Sequence, residues 1–424
     1  MPAAPQRPRG LKDILPAEQP YWVVMTRAAE AMAVGAGYQR IDTPIFEATE
    51  LFVRTVGETS DVVTKEMYTF LDRGGRSMTL RPEGTAPVVR AYFDAAMNNG
   101  PQPVRLYYLG PFFRYDRPQA GRFRQFHQFG LEAIGDAGAG LDVEVITLGW
   151  RWYGALGLRG VSLQVNSIGD AECRPRYRDA LRQYFRPYLD SLPADDRARF
   201  ERNPLRLLDS KDPQSMSLLE AAPRSLDFLC EPCRAAFTQV QAGLGRAGIP
   251  FAVNPHLVRG LDYYTRTAFE YWHESLSGAQ NSLGGGGRYD GLAEDLGYRP
   301  TPAVGFALGL DRTEGILQAQ ESAPAIYALA VEPSALEGMK ALAEQIRERG
   351  LAVIADVSDA QLDVKLRRAD RMRAALVLLV GLPEDGTECV SIRDMKARAQ
   401  QQVKRGELHD RVRGMLAAHA AVPG

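Results

Sequence analysis

Two apolar, aromatic-rich runs, residues 105–113 and 126–134, stand on either side of a polar stretch containing Pro118 and Gly121. Runs of this length, composition and spacing predict antiparallel strands joined by a long loop. Side chains two apart on a strand share a face, so Phe126, Gln128, Gly130 and Glu132 set a ring, an amide, a gap and a carboxylate along one groove. The joining segment carries Arg114, Arg117, Arg122 and Arg124 within eleven residues. A loop so charged repels itself unless it meets an anion. A hairpin tip with solvated arginines is the plain alternative, but the ring, amide and carboxylate beside it favour a polyphosphate held between fixed arginines.

The rest of the chain extends this start. Residues 18–36 have apolar positions at helical spacing and end at Gly35 and Gly37, and residues 39–46 read as an extended segment broken by Pro44. Residues 175–248 change to Arg/Asp-rich helical patterns with few β-branched residues, as in a helical insertion. Strand candidates return at 251–258, 267–272 and 303–310, with a glycine-dense segment at 284–291. From Ala325, strands at 325–331, 352–355, 374–380 and 388–392 alternate with helices at 334–348 and 360–372 before a closing helix, which indicates a separate α/β domain. The organisation expected is a catalytic domain from 1–174 and 249–322, an insertion at 175–248 and a terminal domain at 325–424, with a boundary near 320–324.

Composition excludes several classes. A chain of 424 residues with 45% apolar and 24% charged residues is that of a folded globular protein of several domains. With 51 basic against 52 acidic residues, any contact with nucleic acid must be local. No run approaches the roughly 20 apolar residues that cross a bilayer. The start lacks the apolar core of a secretory signal, so the cytoplasm is expected. Four cysteines form no disulfide framework, and only Cys230 and Cys233 have metal-like spacing, without a second pair nearby. They read as reduced packing residues or a redox-sensitive pair, and no metal held by protein side chains is expected.

The stretch 110–128 resembles motif 2 of the class II aminoacyl-tRNA synthetases, in which a strand ends in Phe-Arg, crosses a loop and returns. Residues 303–312, with Asp311 and Arg312 at the end, look like motif 3, and 39–47 with Pro44 is similar to motif 1. Two longer segments, LVRGLDYYT at 257–265 and GGGGRYDGL at 284–292, resemble the two signatures of histidyl-tRNA synthetases. The likeness runs from Gly10 through the TLRPEGT segment at 79–85 to the terminal domain. It implies an α+β fold: a catalytic domain on an antiparallel sheet, a helical insertion and an α/β anticodon-binding domain of parallel type, in a homodimer joined through motif 1.

The resemblance also implies roles. Glu83, Thr85 and Gln128 hold the α-amino group of histidine, Glu132 and Tyr264 face the imidazole, and Tyr263 walls the site. Arg114 and Arg259 flank the α-phosphate of ATP, Arg259 standing where related enzymes place a metal ion, and both count as catalytic and histidine-binding. Phe126 and Arg312 sandwich adenine, and Arg122 reaches the γ-phosphate. Asp116 lies in the ATP site, on a shorter arm than the family's usual glutamate, as does Asp311. Magnesium bridges the β- and γ-phosphates. Arg117 and Gln119 lie where the family meets the acceptor end of tRNA(His), and Lys365, Arg367 and Arg368 either meet phosphates or form a solvated helix face. Glycines 284–287 lack the Gly-Lys-Ser/Thr of a phosphate loop and suit close backbone packing beneath the substrate. A rival is the regulatory paralogue, a catalytically silent histidine-binding subunit of ATP phosphoribosyltransferase. It shares the catalytic fold but lacks the terminal α/β domain, and it has no need of Arg114, Arg122 and Phe126.

Overall fold

A computed structural model describes residues 4–57, 60, 62–116, 121–210, 212–276, 281–317 and 325–421. The chain divides into two compact units, Met1–Ala319 and Gln320–Gly424.

The first unit is organised on an eight-stranded sheet in the order Gln39–Arg40, Val104–Phe113, Gln125–Ile134, Ala303–Gly309, Ser282–Arg288, Thr265–His273, Val161–Ser167 and Ala252–Val253. The six central strands are antiparallel, and the two short outer strands add in parallel. The expected hairpin pairs residue for residue, from Val104 opposite Ile134 to Phe113 opposite Gln125. Alternation then divides the faces. Phe129, Leu131 and Ala133 sink into a core with Trp22, Met25 and Ala29 of helix Gln19–Gly35 and Trp152 of helix Ala139–Ala155, leaving the even-numbered positions to the other face.

The glycine-dense segment is itself a central strand. Glycine is a poor strand former, yet here the neighbours decide. A Cβ at Gly286 would lie 1.9 Å from the carbonyl oxygen of Gly305, and one at Gly305 would lie 1.9 Å from Glu132 Oε2. Close approach of backbone and buried carboxylate, rather than propensity, selects these residues. Conversely, the expected strand at 251–258 shrinks to Ala252–Val253, because Asn254 turns the chain with its side chain accepting from His256 N at 3.2 Å, and Pro255 has no N–H to offer.

Beside Ser282–Arg288 lies an ion pair with little access to water. Arg288, 1% exposed, donates from Nε to Asp142 Oδ1 and Oδ2 at 3.2 and 3.1 Å, and from Nη1 to Asp290 Oδ1 at 3.1 Å. Backbone carbonyls of Asp136 and Gly138 take further donors at 2.9 and 3.1 Å. The pair ties the central strand to helix Ala139–Ala155.

The helical segment that follows Val161–Ser167 builds a small core of Tyr177, Leu181, Phe185, Phe200 and Leu207. Its last helix, Glu231–Arg246, instead packs Phe237, Val240 and Leu244 into the main sheet core.

The second unit carries a five-stranded sheet in the order Val353–Asp356, Ala325–Ala330, Ala374–Val380, Cys389–Asp394 and Ala399–Lys404. The first three strands are parallel and the last two antiparallel, so the sheet is mixed rather than purely parallel. The strand Ala399–Lys404, AQQQVK, has too little apolar content to be read as a strand and forms by pairing with its hairpin neighbour. Lys365 is not on an RNA-facing surface. It is buried, and its Nζ donates to the Ala330 carbonyl at 3.1 Å. Arg367 pairs with Asp363 at 2.6 Å and Arg368 with Asp356 at 3.4 Å.

Substituting Arg288→Met strands Asp142 in a dry site. The expected cost is about 3–5 kcal/mol, seen as a lower urea midpoint for the first unit. An unchanged midpoint would show that the pair contributes nothing net.

Candidate active site

One face of the central sheet opens into a cleft of about 740 Å³. Glu83, Thr85, Arg114, Asp116, Arg122, Phe126, Gln128, Arg259, Tyr263, Tyr264 and Arg312 all line it. Residues far apart in the chain therefore converge, and Arg117 and Gln119 lie outside the described residues.

At one end are two buried carboxyl groups. Glu83 sits in the turn before helix Thr85–Asp94, and its oxygens accept from the backbone N–H groups of Thr85 at 2.7 Å and Ala86 at 3.0 Å. Burial pushes its pKa up, against these two bonds and the nearby Arg114. Glu132 has no exposed surface. Its Oε1 accepts from Thr85 Oγ1 at 2.8 Å and Tyr108 OH at 3.2 Å, and its Oε2 accepts from Tyr289 OH. Here burial outweighs the three hydroxyls and the pKa is pushed up to about 8. Glu132 thus lies beneath the cleft floor rather than on its open wall. Gly130 makes room for this, since a Cβ there would fall 1.9 Å from Tyr108 Cζ.

The other end is cationic. Arg114, paired through its backbone with Arg124 at the neck of the hairpin, donates Nε to the Pro82 carbonyl at 2.8 Å and lies 5.3 Å from the centre of the Phe126 ring. Arg259 ion-pairs with Glu270, whose second oxygen accepts from Trp272 Nε1 at 2.8 Å. Its guanidinium also lies 5.7 Å from the Tyr264 ring centre. Arg122 pairs with Asp116. Arg312 donates to the carbonyls of Gly121, at 3.4 Å, and Ser282. Burial, then the positive charge of Arg122, lowers the Arg312 pKa, with Glu270 opposing and Arg114 adding to the effect. Among the described residues, Gln128 Oε1 and Arg259 Nε are buried without a hydrogen-bond partner. Unpaired polar atoms on the wall of a cleft are a site's usual mark of an incoming polar ligand.

Sequence reading missed Tyr108, Tyr289 and Glu270. The even spacing of Glu270 and Trp272 along Thr265–His273 was a usable clue to Glu270, whereas the two tyrosines reach Glu132 only through cross-sheet register. Asp311, expected as the acid of motif 3, accepts from His127 N at 2.6 Å and so joins the start of helix Leu310–Glu314 to the hairpin.

An antiparallel sheet whose central hairpin offers arginine and phenylalanine to a cleft, with a third strand entering a helix at Arg312, defines the catalytic domain of a class II aminoacyl-tRNA synthetase. The comparisons narrow this. The sequence model of the histidyl-tRNA synthetase family matches residues 10–313, and that of the anticodon-binding domain matches residues 326–415. The histidine–tRNA ligase of Dehalococcoides mccartyi is 46% identical over 409 residues, 95% of this chain and 98% of the relative. That of Thermosynechococcus vestitus is 46% identical over 407 residues, 95% of each chain. The crystal structure of apo S. aureus histidyl-tRNA synthetase superposes with a TM-score of 0.77 at 34% identity, covering 96% of this chain and 99% of that one. The chain belongs to the histidyl-tRNA synthetase family.

A carboxyl raised from 4.5 to about 8 on folding leaves stability intact below the lower value and removes it progressively as pH rises through the higher one. Without histidine or ATP, the wild-type melting temperature is expected to fall across that window, and Glu132→Gln is expected to flatten the decline. Parallel pH profiles for the two proteins would exclude Glu132 as the source.

Proposed function

We propose that this protein is a histidine–tRNA ligase that activates histidine with ATP and then esterifies it to tRNA(His). The observation that carries this reading is the opposition, along one cleft, of a carboxyl end, with Glu83 on the wall and Glu132 buried beneath the floor, to an arginine end (Arg114, Arg259, Arg312). An amino acid has an ammonium and a carboxylate, and histidine adds a ring with two nitrogens, so it suits a site that changes from acidic to cationic along its length.

In this reading, Glu83, Thr85 and Gln128 receive the ammonium, and Gln128 brings an oxygen that lacks a protein partner. Tyr263 walls the pocket, its OH 3.5 Å from Glu83. Tyr264 meets the imidazole, and Glu132, through its hydroxyl network, sets the polarity of that wall. An isosteric side chain without ring nitrogens leaves these groups unpaired and is rejected. The histidine carboxylate then attacks the α-phosphorus of ATP, the bond to pyrophosphate breaks, and histidyl-adenylate forms. Arg114 and Arg259 meet the charge that accumulates on the α-phosphate. Arg259 exchanges its Glu270 partner for the phosphate. Phe126 and Arg312 sandwich adenine, while Asp116 and Arg122 attend the outer phosphates. Magnesium would accompany ATP, held by its phosphates rather than by protein side chains, and would offset their negative charge. In the second step the terminal ribose hydroxyl of the tRNA attacks the histidyl carbonyl and AMP departs, with no side-chain base assigned. Arg117 and Gln119 meet the acceptor end, and the second unit meets the anticodon.

We place this work in the cytoplasm, with the tRNA. No helix among the described residues is long and apolar enough to cross a membrane. A homodimer also belongs to the proposal. Beside motif 1, the small sheet of Phe46–Ala48, Ser77–Leu80 and Thr69–Leu71 leaves Ile45, Phe46, Phe70 and Leu71 exposed, the last at 70%. That is an apolar patch of the kind a second subunit covers. Among the structural relatives is one described as an ATP phosphoribosyltransferase regulatory subunit/histidyl-tRNA synthetase from Bacillus halodurans C, with a TM-score of 0.65 at 24% identity. That likeness concerns fold, and the match to the anticodon-binding domain at 326–415 favours the ligase.

Pyrophosphate exchange tests the chemistry. Exchange is expected with histidine alone among the amino acids, reduced at least about 10²-fold in Arg259→Ala, with about a tenfold or greater rise in histidine KM for Glu132→Gln. Histidine binding without exchange in the wild type would favour the regulatory reading. Sedimentation of the double variant Ile45→Glu/Phe70→Glu is expected to show a monomer where the wild type is a dimer, and a persisting dimer would place the interface elsewhere.

A further inference from the structure

The fold brings together four side chains that the catalytic cleft does not use. Asp170 and Cys173 lie at the start of the helical segment, in the turn before and the first residue of helix Cys173–Phe185. Cys230 and Cys233 lie at its other end, at the N-cap and in the first turn of helix Glu231–Arg246. One ligand atom from each of the four lies within 4.8 Å of every other. Each pair has two intervening residues, so the sequence holds two knuckles of equal spacing, Asp-x-x-Cys and Cys-x-x-Cys, separated by 56 residues. Reading cysteines alone hides the first of them, because its leading ligand is an aspartate.

We infer that Asp170, Cys173, Cys230 and Cys233 form a structural zinc site that clamps the two ends of the helical segment to each other. Ligand type, number and geometry all agree. Zinc binds thiolate and carboxylate oxygen and is four-coordinate in structural sites, with Zn–S near 2.3 Å, so tetrahedral geometry sets sulfur atoms about 3.8 Å apart. The Cys233 and Cys230 sulfurs lie 3.1 and 3.7 Å from Asp170 Oδ2, close enough to share one ion. All three cysteines are buried and Asp170 is half-buried, and four protein ligands leave no open position, as in a structural rather than a catalytic centre. The outer contacts suit a thiolate centre too. Cys230 N donates to Cys173 Sγ at 3.0 Å, while Glu172 N and Cys173 N donate to Asp170 Oδ1 at 3.0 and 3.2 Å. Gly169, at φ +69°, permits the turn, since a Cβ there would lie 2.4 Å from Cys173 Cβ.

Three thiols release their protons to solvent as the ion binds, leaving a centre of net charge −2. The N-termini of two helices face it and offset part of that charge. A Cys230–Cys233 disulfide would use two of the sulfurs and leave Cys173 and Asp170 converging on nothing. Cys389, the remaining cysteine, lies in the second unit and has no part in the site.

The test uses the full chain, purified under reducing conditions. Elemental analysis is expected to find about one equivalent of zinc per chain. Cobalt exchanged into the protein is expected to give thiolate-to-cobalt charge-transfer bands and the intense visible bands of tetrahedral coordination. Cys233→Ser is expected to lose the ion, and Asp170→Asn to retain the cysteines but hold it more weakly in competition with a chromogenic chelator. A strong zinc chelator is expected to lower the wild-type melting temperature and leave that of Cys233→Ser unmoved. If Cys233→Ser does not fold, the wild-type cobalt spectrum and Asp170→Asn decide. Reduced wild-type protein that takes up no zinc and shows no tetrahedral cobalt spectrum overturns the proposal. So does a Cys230–Cys233 disulfide, found by mass, that withstands the reducing conditions.

Discussion

The first unit depends on the ladder between Val104–Phe113 and Gln125–Ile134. Because side chains on a strand alternate, a single register serves two purposes. It drives Phe129, Leu131 and Ala133 into the core beneath the helices, and it presents Phe126 and Gln128 to the cleft, with Gly130 and Glu132 buried below it. A slip of one residue would exchange the two sets, burying an amide and a carboxylate among tryptophans. The core therefore enforces the site: the burial that stabilises the sheet also fixes which residues meet the substrate.

Electrostatics runs along the cleft in opposite directions at its two ends. For Glu132, desolvation exceeds what three hydroxyl donors return, so the group is held near neutrality at physiological pH. At the arginine end, positive charges crowd one another, and Glu270 and Asp116 act as internal counter-ions for Arg259 and Arg122. Both arrangements cost the ligand-free fold something, a carboxyl kept from water and cations kept close together. A ligand carrying ammonium at one end and phosphate at the other relieves both at once, which is why such strain collects at sites of chemistry.

The buried pair of Arg288 with Asp142 shows a different use of charge. It lies within the glycine-dense signature, two residues from Asp290, yet its donors go to a helix and to backbone carbonyls rather than to the cleft. A signature residue can thus be structural, holding the strand that carries Gly284–Gly287 against the helix behind it. The zinc site proposed at the base of the helical segment would act in the same spirit, joining ends of chain rather than touching substrate.

Much of this was legible in the amino-acid sequence, because local pattern carries it. Periods of two and 3.6 marked the hairpin, the first helix and most of the second unit, and the arginine-rich turn with Phe126, Gln128 and Glu132 pointed to a polyphosphate, while the amino acid came from the resemblance of 257–265 and 284–292 to family signatures. What only tertiary structure decided lies in contacts between distant segments. Ser282–Arg288 is a strand because Gly305 crowds it from one neighbouring strand and Thr267 and Phe269 from the other, although its composition argues against one. Lys365, on helix Leu362–Arg371, is buried where the Ala330 carbonyl meets it from the sheet, and no local pattern reports that. Tyr108 and Tyr289 reach Glu132 through register across the sheet, and Asp170 and Cys173 meet Cys230 and Cys233 only once the helical segment has closed. Periodicity is a property of neighbours in the chain and survives in the sequence, whereas crowding, desolvation and ligand convergence are properties of neighbours in space and exist only after folding.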